Sequence, residues 1–81
     1  MNDPGKRIDT VWLFVAIDRD GDEGLPAFEG PNKMMFPMIA SDERRRDLLV
    51  GVAKDLVKLT FGSRIEVRKF TGAYELEQVI E

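Results

Sequence analysis

Neither a cysteine nor a histidine occurs in this 81-residue chain. Without cysteine there is no disulfide, no thiolate metal site and no thiol nucleophile. Without histidine there is no Ser-His or Cys-His pair. The commonest near-neutral acid–base and nitrogen ligand are gone as well. Glycine-rich phosphate cradles are also missing. The glycines at 21, 24, 30, 51, 62 and 72 are scattered and form neither GxGxxG nor a P-loop, so no cofactor is implied. The longest apolar run, Val11 to Ile17, falls far short of the roughly 20 residues of a membrane helix. No flanks of a secretory signal accompany it, so a cytoplasmic home is the default expectation. Fifteen carboxylates in so short a chain guarantee chance pairs, and spacing alone picks out no catalytic dyad. The sequence therefore predicts no enzyme and names no biochemical activity.

What is present is the composition of an ordinary folded protein, 43% apolar and 33% charged, with a net charge of -3. The length predicts one soluble domain, 1–81, with 1–7 as a frayed start. A core this small supplies a few kcal/mol at best, so such domains often need a staple or a partner. The charge is segregated. Residues 1–32 hold seven acids and three bases, residues 33–69 hold nine bases and five acids, and residues 70–81 add three glutamates. Segregation of this kind can orient self-association.

Periodicity predicts an α+β fold of order β-β-β-α-β-α. Residues 11–17 are apolar on both parities, the mark of a central strand covered on two sides. Asp20-Gly21 and Gly30-Pro31-Asn32 are turn signals around a short strand at 25–29. A third strand runs from Met34 to Ala40, and Pro37 assigns it to a sheet edge or a bulge. Ser41 caps a helix of about 41–60 whose stripe is Leu48, Leu49, Val52, Ala53, Leu56 and Val57, with Gly62 as its stop. Residues 64–70 form a last strand with Ile65 and Val67 inward. Thr71 caps a short terminal helix bearing Leu76, Val79 and Ile80. The expected architecture is a small mixed sheet of three to four strands in the order 3-2-1-4. The long helix crosses over to make the fourth strand parallel to the first.

The first strand's second face needs a cover that the short terminal helix only partly supplies. An interface of Trp12, Phe14, Met34, Met35, Phe36 and Met38 is the sharper expectation, set against the blander one that these residues are core. The expected partner is a second copy in a twofold dimer. The expected function is a small interaction or regulatory module that self-associates through the apolar sheet face and the Met-rich strand.

Two polar clusters offer alternatives. Asp18, Asp20 and Asp22 take positions 1, 3 and 5 of a calcium-loop pattern and Glu29 falls at position 12. Glu23 stands where that pattern requires glycine, so a solvated turn outweighs a divalent-metal module. Arg44, Arg45 and Arg46 open the helix, and Phe36 and Phe70 could stack on bases. Consecutive helical residues splay about 100° apart, and Asp42, Glu43 and Asp47 flank them. A nucleic-acid accessory role is disfavoured.

Overall fold

The computed structural model describes residues 7–59 and 63–81. Its centre is β1 (Thr10–Ile17), where β-branched and aromatic side chains suit a pleated, buried surface. β6 (Arg64–Thr71) lies along the whole of one edge, from Thr10 opposite Thr71 to Ile17 opposite Arg64. The other edge is shared. β5 (Ile39–Ala40) pairs with Leu13 and Trp12, and β2 (Glu23–Gly24) pairs with Ile17 and Ala16. Between them the Phe14 N–H donates to the Met38 carbonyl at 3.1 Å. β3 (Ala27–Glu29) and β4 (Met35–Pro37) form a second, two-stranded ladder around the turn at Pro31–Lys33.

The fold class is α+β, with the first strand central and the fourth beside it. Two expectations need correction. The fourth strand is antiparallel to the first, because β5 at the end of the third segment pairs directly with β1. β5 and β6 thus run the same way, and α1 (Glu43–Leu59) crosses between them with β1 inserted, a split β-α-β arrangement. The order 3-2-1-4 also fails, since 27–29 and 35–37 leave the main sheet to pair with each other. Pro37 ends β4 in that short ladder, where a missing donor is tolerated.

The cap of α1 is Asp42, not Ser41. Its Oδ1 accepts from the Arg45 N–H at 2.7 Å, and its carbonyl accepts from Arg46 at 3.0 Å. The helix buries Leu49 and Ala53, with Val50, Val52 and Leu56 on their flanks, while Leu48 faces outward. It covers the β1 face carrying Trp12 and Phe14, where Met38 and Ala40 complete the core. Full burial of one such side chain contributes about 1.5–3 kcal/mol. Phe28 closes one end, its ring 5.8 Å from that of Phe36. The Gly62 stop and most of the frayed start fall outside the described residues.

No terminal helix forms. Thr71 ends β6, and 73–81 carries neither helix nor strand. A helix of about ten residues is marginal in water without a face to dock on, and Leu76, Val79 and Ile80 all stand exposed. Among the described residues no helix is long and apolar enough to cross a membrane.

Candidate interaction surfaces

The outer face of the main sheet, opposite α1, is divided by charge. Val11, Leu13, Val15 and Ile17 of β1 point to it, since alternate residues share a face. Register brings Arg64, Glu66, Arg68 and Phe70 beside them from β6, and Glu23 and Ile39 from the other flank. Arg68 lies opposite Leu13, whereas Glu23 lies opposite Ile17 on the far side. To meet, the two side chains must cross β1 above Val15. They do so in a two-point contact, both nitrogens 2.9 Å from the Glu23 oxygens. Arg68 also donates to Glu66 at 2.8 Å, and Arg64 reaches Glu66 at 3.4 Å. The aliphatic stems of these charged groups roof the strand. Val15 and Ile17 are accordingly only 4% exposed, with no helix above them among the described residues.

Hydrogen bonds from Arg68 hold both the Glu23 and Glu66 carboxyls below the ordinary glutamate range. The same two partners push the Arg68 guanidinium upward. Among the described residues the other half of the face has no such roof. There Leu13 sits beside Ile39 and Val11 beside Phe70, with Phe70 53% exposed and Ile8 close by. The result is a shallow apolar patch bordered by the ion-pair network.

The expected interface set divides. Trp12, Phe14 and Met38 are core within the chain itself, because α1 covers the face they occupy, so they are not available to a partner. Phe36 is half-buried against Phe28. Met34 and Met35 remain exposed. Trp12 is further covered by two cations, the Arg46 guanidinium 5.1 Å and the Lys69 ammonium 5.7 Å from its ring centroid.

The acidic loop is organised by its own backbone. Asp18 closes its own turn: its Oδ1 accepts from the Asp20 N–H at 2.9 Å and the Asp22 N–H at 3.0 Å. Gly21, at φ +88°, donates back to the Asp18 carbonyl at 3.0 Å. The loop chemistry thus serves conformation. Glu29 belongs to β3 opposite Met35. Among the described residues no three His, Cys, Asp or Glu side chains come together as metal ligands. At the helix start, Arg46 lies over Trp12 and pairs with Asp47 at 2.9 Å. Arg44 and Arg45 line an open hollow with Asp42 and Leu48, so the three arginines do not make one basic patch.

No family model, curated protein or solved structure matches the chain. The sequence reading missed the Arg68–Glu23–Glu66 network and the Val11–Leu13–Ile39–Phe70 patch. Parity along residues 64–70 carried part of the signal, since it puts Phe70 on the same side as Arg64, Glu66 and Arg68. The pairing with Glu23, 45 residues away, had no local signature.

Proposed function

We infer that this protein is a non-catalytic interaction module that works by self-association. The observation that carries the reading is the unroofed half of the outer sheet face, where Leu13, Ile39, Val11 and Phe70 lie side by side. Apolar side chains grouped on a sheet face and bordered by charge are the usual makeup of an association surface. The scarcity of core supports it. Among the described residues eight hydrophobic side chains are buried and fourteen large ones are exposed. A small chain left in that state gains by covering surface against another. A twofold contact places each patch on its own copy, with Arg64, Arg68, Glu23 and Glu66 at the rim to fix orientation.

Light scattering after gel filtration tests this. The expected mass is twice 9.2 kDa. Replacing Phe70 and Ile39 together by lysine places charges in the patch without touching the buried core, and should weaken association at least tenfold. A single 9.2 kDa species at high concentration would remove the reading.

A further inference from the structure

The segment after Gly72 carries a pattern its own fold leaves unused. In an extended chain Tyr74, Leu76, Gln78 and Ile80 share one side, while Glu75, Glu77, Val79 and Glu81 share the other. This is the alternation of a half-buried strand. Yet among the described residues the segment has no strand partner, and Tyr74, Leu76, Val79 and Ile80 are exposed. The molecule is long, 43 × 29 × 24 Å with a radius of gyration of 14.8 Å. A compact chain of this length has about 12 Å.

β6 presents the matching template. Among the described residues it pairs with β1 alone. The Gly72 N–H donates toward β1, to the Asp9 carbonyl at 3.2 Å. By alternation Ile65, Val67, Lys69 and Thr71 turn their N–H and C=O groups outward. On the helix side of this edge lies an apolar groove of about 160 Å³, bounded by Val50, Ala53, Lys54, Val57, Ile65 and Val67. On the other side stand Arg64 and Arg68. A strand added here lays Tyr74, Leu76 and Ile80, with Gln78, along the groove. Its other side, Glu75, Glu77, Val79 and Glu81, then falls on the face where the Arg64 side chain is 67% exposed, Arg68 being turned across β1 to Glu23. An open edge of eight residues is otherwise a liability that folded proteins cover or blunt.

We propose that residues 73–81 of a second copy add as a strand to the β6 edge, reciprocally, in a twofold dimer. The chain's own segment leaves that edge unpaired after Gly72, at φ +105°. The proposal rests on the self-association reading and adds the docking segment and its seat. Charge supports a second copy as the occupant, because the segment carries three glutamates and the edge is flanked by Lys54 on the groove side and by the exposed Arg64 on the other.

The test compares the full chain with two variants, one ending at Gly72 and one carrying Val67→Pro. Proline at 67 removes an outward N–H and leaves the inward ladder to β1 intact. Light scattering should give a dimer for the full chain and a monomer for each variant at tenfold higher concentration. An equal mixture should recover a heterodimer, since one intact segment then meets one intact edge. Circular dichroism checks that each variant folds, and Leu76→Lys, exposed in the monomer, replaces the truncation if that fails. A truncated chain that stays dimeric overturns the proposal and leaves the outer-face reading standing. A monomeric full chain overturns both. Monomeric variants whose mixture stays monomeric overturn the proposal in favour of a segment folding back on its own edge.

Discussion

Arg68 on β6 grips Glu23 on β2 from across the intervening strand, both guanidinium nitrogens at 2.9 Å from the carboxylate oxygens. One consequence is pH dependence. Glu23 and Glu66 have folded values below their ordinary ones, mainly through hydrogen bonds from Arg68. A carboxyl lowered by folding contributes stability that is fully present above the ordinary glutamate value of about 4.3. That contribution is lost as pH falls through the lowered folded value. Urea midpoints of the parent and Glu23→Gln, followed from pH 6 to pH 2, should therefore converge in acid. A gap that stays constant across the range would show that the pair contributes nothing.

Charge and cover can be separated at the same residue. Arg68→Met keeps an aliphatic stem over Val15 and loses the ion pairs, whereas Arg68→Ala loses both. If the roof over β1 consists mainly of stems, the urea midpoint falls further for alanine than for methionine. Raised salt should narrow the difference between the parent and the methionine variant, because these groups reach solvent. Equal midpoints for the two variants would assign the whole effect to charge.

Phe14 is the most consequential core position, fully buried where β1, α1 and Met38 meet. Phe14→Ala should cost about 3–5 kcal/mol. A chain of this size has few kcal/mol in reserve, so the variant should be largely unfolded by circular dichroism at room temperature. Leu49→Ala, on the facing helix, should cost about 2–5 kcal/mol. A cooperative transition near the parental midpoint for either variant would mean that the core lies elsewhere.

The central strand was readable because residues 11–17 are apolar on both parities, a pattern that surface strands rarely carry. The helix was readable from its stripe, although Asp42 rather than Ser41 caps it. What could not be read is what lies next to what. Pairing β5 directly with β1 depends on the 27–29 and 35–37 hairpin turning out of the main sheet, a tertiary choice with no local signal. The terminal helix failed because Leu76, Val79 and Ile80 fit a helical spacing while Tyr74, Leu76 and Ile80 fit an extended one. Packing decides between two such periods. The acidic loop left two readings open for a related reason: aspartates that close a turn and aspartates that hold a cation look alike in sequence, and it takes the structure to show Asp18 accepting two backbone N–H groups.

Gly30 supplies a sharper test of the second ladder. It precedes the Pro31–Lys33 turn and donates its N–H to the Met34 carbonyl at 2.7 Å. Its φ of -105° is open to any residue, so backbone strain gives no reason for glycine here. The reason is the Phe36 ring, whose Cδ2 would lie 2.7 Å from an added Cβ. Gly30→Ala must push that ring away from Phe28 and should cost about 1–3 kcal/mol. Phe36→Leu removes the obstructing ring edge at some packing cost of its own. The double variant should then be more stable than the sum of the single losses implies, by at least about 0.5 kcal/mol in a double-mutant cycle. Strict additivity would place the penalty in the backbone turn and not in the ring.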